Sequence, residues 1–161
     1  RPQLDGGIAA LAVIKGITFV HVGSAALWWA SAVMVMGHIR LAIDDNGIGL
    51  GQAKDHVDWA LDLGRWCGPV TIASGFVLIF AVGGFRAVPP SIHAALLLAI
   101  ASVGMEHGYA GRQWREFFDL LEREPGSIGL ADAVTKLTFL NGIQHIVWLC
   151  MLALMIFKDI L

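Results

Sequence analysis

The chain has 161 residues, of which 57% are hydrophobic and only 15% charged, and its mean hydropathy is +0.68. Soluble domains average about 45–50% apolar and about 25% charged residues, so this composition indicates a membrane protein and excludes disordered, fibrous and disulfide-rich chains. A net charge of −2, with 11 basic and 13 acidic residues, also argues against a nucleic-acid-binding protein. The two cysteines, Cys67 and Cys150, form no spaced motif.

Four apolar segments follow one another along the chain, at about residues 8–37, 66–85, 91–108 and 137–157. Each is near the ~20 residues that span ~30 Å of hydrocarbon. Because helices satisfy their own backbone polar groups in lipid, each segment predicts a spanning helix. Pro89-Pro90 stops helical continuation and predicts a tight turn between the second and third helices. We therefore predict one all-α domain over residues 1–161, a transmembrane up-down bundle of four helices.

Two longer connections, after the first and third segments, contain apolar residues at helical spacing among charged ones. The first stretch contains Leu50, Ala53, Val57, Ala60 and Leu61, and the second contains Trp114, Phe117, Phe118 and Leu121. Both patterns predict amphipathic helices that lie at the membrane interface, and Pro125-Gly126 ends the second.

The distribution of basic residues predicts an orientation. The side with the long connections carries seven lysines and arginines, and the opposite side carries four. Counting basic residues alone places the long connections in the cytoplasm. We therefore expect the chain in a bacterial inner membrane, with both termini on the periplasmic side.

The histidines carry the functional signal, because ionisable groups in hydrocarbon are costly and usually functional. His56 lies in a polar connection and is interpreted as solvated. The other five lie in or at the ends of the spanning segments: His21, His38, His93, His107 and His145. Glu106, beside His107 at the membrane face, could shuttle protons there, but an interfacial glutamate usually needs no such explanation.

The spacing of these histidines predicts two layers. At a rise of ~1.5 Å per residue, His21 and His38 are roughly 25 Å apart along the first helix, and His93 and His107 are roughly 21 Å apart along the third. These two helices are parallel in the bundle, so His21 shares a layer with His93, and His107 shares one with His38 or with His145. Imidazole is a normal axial ligand of b-type haem, so the pairs predict iron ligands for one or two haems.

The surroundings of His21 fit a porphyrin. Ala25 and Trp28 lie on the same helix face and leave a small gap beside a large flat ring. A row of small residues on a different side of the first helix predicts close helix packing: Gly16, Gly23, Ala30 and Gly37.

A copper site is an alternative. Thioether and imidazole groups are collected on one side of the membrane, as copper(I) prefers, in Met34, Met36, His38, Met105 and His107. Residues two apart on a helix face opposite ways, so Met34 and Met36 converge only if the helix end unwinds.

Several short motifs resemble those of a family of small four-helix membrane proteins that includes the HemJ-type protoporphyrinogen oxidases and the CopD-type copper-resistance proteins. The matching positions are Lys15, His21 and Trp28 in the first helix, Arg65, Pro69 and Gly75 in the second, His93 through His107 in the third, and Asn141 and Lys158 in the fourth. The resemblance implies a scaffold that binds haem b through His21. Ala95 and Gly142 stand where the HemJ-type sequences have a lysine and a glutamate.

Together these observations predict a haem b-binding membrane protein for electron transfer. We expect it to contact the bilayer and other membrane or peripheral redox subunits, and to form oligomers. The alternatives are a HemJ-like protoporphyrinogen oxidase, a copper-binding or transport protein, and a structural subunit without a cofactor.

Overall fold

A computed structural model describes residues 2–44, 50–123 and 127–157, and these residues are helical apart from short turns. The α-helices are α1 (Pro2–Asp44), α2 (Leu50–Ala81), α3 (Pro90–Met105), α4 (Gly111–Arg123) and α5 (Ile128–Ile156). A 3₁₀ turn at Phe85–Ala87 precedes α3, and a π-helical turn at Glu106–Ala110 connects α3 to α4 without a break. The described helices therefore form four rods, because α3 and α4 run on as one.

The rods pack side by side. α1 packs along α2, α3 packs along α5, and contacts between α2 and α3 and between α1 and α5 complete the arrangement. Three helices are long and apolar enough to cross a membrane, over Ala10–Arg40, Gly51–Ala81 and Ile128–Ile156. α3 has 16 residues, which is ~24 Å at ~1.5 Å per residue, so its role as a fourth span stays a prediction.

One correction concerns the connection after the first span. The stretch from Leu50 to Leu61 is not a separate interfacial helix but the first turns of α2, and His56 lies on this helix rather than in a loop. The physical reason is a single buried stripe that continues at helical spacing from the amphipathic part into the apolar part. Its members are Ala53, Val57, Ala60, Gly64, Cys67, Thr71 and Ser74.

The ends of the rods nearest the long connections share a buried core, which we call the loop-end cluster. It contains Val35 and Ile39 of α1, Ala53, Val57 and Ala60 of α2, Trp114, Phe117, Phe118 and Leu121 of α4, and Leu130, Ala133 and Leu137 of α5. The apolar face of α4 therefore packs against the other rods of the same chain. Its position at the membrane interface stays a prediction.

A second core lies further along the rods, around the buried residues Trp28, Cys67, Ala99 and Met151. Here Gly68 permits a close approach of helices. A Cβ at this position would lie 2.8 Å from Val103 Cγ2 and 3.2 Å from Trp28 Cε2. A side chain there would overpack the core.

The small-residue row predicted for close packing on the first helix is wrong for the contacts within this chain. A Cβ on Gly16, Gly23 or Gly37 would meet no heavy atom of the described residues within 4 Å. The face of α1 that packs inward instead carries Ser24, Trp28, Ser31, Val35 and Ile39. Glycines of α2, rather than α1, make the close contact between these two helices.

Candidate functional site

His21 is held from the neighbouring helix. Its Nδ1 lies 2.9 Å from the carbonyl oxygen of Thr71 and 3.1 Å from Ser74 Oγ, both on α2. A carbonyl can only accept, so Nδ1 carries the proton and Nε2 keeps its lone pair. Gly75 lets the ring lie close to α2, since a Cβ there would be 3.2 Å from His21 Cε1. The partly buried imidazole therefore has a fixed tautomer and a fixed direction.

Hydroxyl groups extend this contact between α1 and α2. Ser24 Oγ lies 2.8 Å from Thr71 Oγ1, and Thr71 Oγ1 donates to the carbonyl oxygen of Cys67 at 2.8 Å. These buried groups are satisfied by one another, as polar atoms in an apolar environment need to be. The bonds fix α1 against α2 at the level of His21.

His93 lies at the opposite end of the protein from the loop-end cluster. Its Nε2 lies 3.1 Å from the carbonyl oxygen of Phe85, and its ring is tilted against the Phe85 ring at 5.7 Å between centroids. In this arrangement Nε2 donates to the carbonyl and only Nδ1 keeps a lone pair.

His107 and His145 each use Nδ1 to contact a carbonyl of their own helical rod. The acceptors are Val103 at 2.9 Å and Asn141 at 2.7 Å, each four residues earlier. The His145 ring also lies edge-on to Trp29, with 6.3 Å between ring centroids. Both histidines therefore keep Nε2 free of protein hydrogen bonds in the described part of the chain.

His38 stacks on His56, which the sequence pattern predicts to be solvated. The rings of His38 and His56 are 4.8 Å apart between centroids and inclined by 28°. Within residues 10–40, 51–109, 111–123 and 127–157, no hydrogen bond or ring contact joins two of the five predicted haem ligands. A haem iron would itself separate two axial ligands, so the predicted pairing stays a prediction.

Trp28, which the sequence predicts beside the cofactor, hydrogen-bonds the carboxylate of Glu106 instead. It is buried, lies edge-on to Trp148 at 5.0 Å between centroids, and donates from Nε1 to both carboxylate oxygens of Glu106, at 2.8 and 2.7 Å. Gln144 donates from Nε2 to Glu106 Oε1 at 2.9 Å. Three rods, α1, α3–α4 and α5, thus meet at one carboxylate.

This meeting point was missed in the sequence. The available signals were a glutamate and a glutamine in or beside apolar segments, together with a tryptophan whose N–H needs a partner when buried. Their convergence depends on which rods are neighbours, and no pattern within one helix reveals that.

The Glu106 side chain faces a cavity of about 530 Å³ between the rods, on the side of the long connections. Glu106 and Gln144 lie at its inner end, and His107 is the one predicted haem ligand among its lining residues. Exposed charged side chains surround the mouth: Lys54, Asp58, Asp62, Arg65, Arg115 and Asp119. The cavity combines apolar wall residues with convergent polar groups, as small-molecule sites do.

The copper alternative required the end of the first helix to unwind, and α1 is continuous through this region. Met36 packs against the loop-end cluster while Met34 is 45% exposed, so the two thioethers diverge. Among the residues with described positions, histidine, cysteine, aspartate and glutamate form no group of three that could hold a metal ion.

The fold and these contacts define an all-helical chain with three helices that are long and apolar enough to cross a membrane. No known protein family, curated protein or solved structure matches it. The resemblance to the HemJ and CopD proteins therefore stays a prediction, and the function is inferred from the geometry.

Proposed function

We propose that this chain is an integral membrane protein that binds haem b and transfers electrons, with His21 as an axial ligand. The observation that carries the proposal is the contact of His21 Nδ1 with the Thr71 carbonyl, 2.9 Å away on another helix. Metal-binding histidines almost always donate their second N–H to a carbonyl or carboxylate, which fixes the tautomer and the ring direction. His21 is therefore prepared to offer Nε2 to iron.

The other predicted ligands are not oriented by a hydrogen bond to a neighbouring spanning helix. His107 and His145 bond carbonyls four residues earlier, a contact that any helical histidine finds locally. His93 uses Nε2 for Phe85, so it would have to turn its ring to bind iron through that atom. The geometry supports one haem at His21 more directly than two stacked haems.

The haem would supply reversible one-electron chemistry at its iron. The role of the protein is to hold His21 in one orientation through Thr71 and Ser74 and to surround the site with apolar helices. We also propose that α3 with its π-helical turn is the fourth span, in a bacterial inner membrane with the termini on the periplasmic side. The charged face of α4 would then lie at the cytoplasmic interface, where other redox subunits dock.

A haemin titration of the purified chain in detergent tests this proposal. We expect saturable binding, with a sharpened Soret band, at one haemin per chain. His21→Ala is expected to weaken the binding by more than about 100-fold, since second-shell changes alone cost about 10–100-fold in metal affinity. His56→Ala, the same change at an exposed histidine, should leave the titration unchanged.

The titration also distinguishes the ligands from one another. A role for His93 as second ligand predicts that His93→Ala changes the position of the Soret band while His21→Ala removes it. Equal binding by wild type and by His21→Ala would refute the assignment of His21.

A further inference from the structure

The carboxylate of Glu106 is surrounded by donors, and none of the side chains that the structure describes forms an ion pair with it. In all three of its hydrogen bonds the neighbour, Trp28 or Gln144, donates, so both carboxylate oxygens act as acceptors. The two ion pairs found in the described side chains, Asp62 with Arg65 and Asp132 with Lys136, do not include it. A buried charge without a partner is costly, so this arrangement needs an explanation.

The charges at the cavity mouth do not compensate Glu106. Three basic side chains there are balanced by three acidic ones: Lys54, Arg65 and Arg115 against Asp58, Asp62 and Asp119. When Glu106 is ionised, its negative charge at the inner end is therefore in excess, and a cation is the complementary occupant.

Gln144 contributes a donor at the inner end of the cavity. Its side chain is 5% exposed, and its Nε2 donates to Glu106. Its Oε1 is buried and closed off from the cavity, so Glu106 is the acceptor that an occupant can reach there.

The walls between the inner end and the mouth are apolar and aromatic. They include Val35, Leu61, Trp114, Phe118, Leu137 and Leu140. The volume of about 530 Å³ lies within the range of about 300–1,000 Å³ that is typical of small-molecule sites. An apolar body behind a polar head would fill such a space.

We propose that this cavity binds an amphipathic primary amine, with its ammonium group donating to Glu106. A primary ammonium has three donors and a positive charge, so it hydrogen-bonds the carboxylate and balances its charge at once. A hydroxyl group brings a single donor and no charge, and a quaternary ammonium brings no donor. The apolar body lies against Trp114 and Phe118. The ammonium site does not involve His21, Thr71 or Ser74, which are assigned to the haem, and the predicted ligand His107 lines the same cavity.

The ammonium group could belong to a free amine or to the ethanolamine headgroup of a membrane lipid. Both present the same chemistry to Glu106. In the second case the lipid phosphate would meet Arg65 or Arg115 at the mouth, since arginine pairs well with phosphate.

Isothermal titration of the full chain in detergent tests the proposal, with 2-phenylethylamine and its neutral isostere 2-phenylethanol as probes. We expect wild type to bind the amine at least about tenfold more tightly than the alcohol, because hydrogen bonds to charged groups are the stronger ones. Glu106→Gln should remove this preference. Glu122→Gln, the same change on α4 outside the cavity, should retain it.

A second pair of probes distinguishes a free amine from a lipid headgroup as the source of the ammonium group. Short-chain phosphatidylethanolamine keeps the N–H donors, and short-chain phosphatidylcholine lacks them. Saturable binding of the ethanolamine lipid alone would assign the ammonium to a lipid, and binding of 2-phenylethylamine would assign it to a free amine. Equal binding within each pair, no saturable binding, or an unchanged preference in Glu106→Gln would overturn the proposal. If Glu106→Gln does not fold, the two probe pairs on wild type decide alone.

Discussion

Trp28→Ala is expected to lower the free energy of unfolding by about 3–5 kcal/mol, the range for removing a buried aromatic side chain. Trp28 is 1% exposed, rests against Gly68 and lies edge-on to Trp148. Its loss also removes the donor to both oxygens of Glu106. The measurement is an SDS titration of the purified protein, followed by far-UV circular dichroism.

Trp66→Ala is the matched control, because Trp66 is 73% exposed on α2. Surface substitutions usually change stability by no more than about 0.5 kcal/mol. Trp28→Phe keeps most of the packing but loses the hydrogen bond, so its effect should lie between those of the two alanine variants. Equal midpoints for Trp28→Ala and Trp66→Ala would show that Trp28 is not the buried anchor described above.

Phe117→Ala is expected to cost a similar amount, about 3–5 kcal/mol, at the other core of the protein. Phe117 is fully buried in the loop-end cluster, with its ring 5.2 Å from that of Phe118 and 6.2 Å from that of Trp114 between centroids. Its truncation would loosen α4 from the other rods. The same SDS titration measures the loss.

Phe139→Ala controls for the removal of a phenyl ring, because Phe139 is 69% exposed on α5. It should shift the midpoint by much less than Phe117→Ala. A wild-type midpoint for Phe117→Ala would mean that the loop-end cluster is not part of the cooperative core, and that α4 is attached only through the π-helical turn.

The helices were predictable from hydropathy, and most of their boundaries were not. Apolar runs long enough to span a membrane are visible in the sequence, and three of them coincide with long apolar helices. The division between an interfacial helix and the second span was wrong, because composition changes near Leu61 while the buried stripe of α2 does not. The glycines of α2 that pack closely are those that face α1 across the helix interface, namely Gly64 at Ser31, Gly68 at Trp28 and Gly75 at His21. That pairing depends on how the rods are rotated.

For the candidate sites too, the sequence reveals some of the residues but not the contacts between helices. His21 was visible as a deep histidine in an apolar segment, residues 8–37, that contains no carboxylate. Its acceptor is a backbone carbonyl of α2, and backbone groups leave no mark in a sequence. Glu106 looked like an ordinary charge at the membrane face, and its contacts with Trp28 and Gln144 arise only when three rods meet.

The most direct test of haem binding is a reduced-minus-oxidised absorbance spectrum of the protein purified from haem-replete cells, with pyridine haemochrome quantification. The proposed role of His21 predicts a b-type signal equivalent to about one haem per chain, as expected for one prepared axial ligand. A purified, folded chain with no b-type signal would contradict the proposal that it is a haem protein.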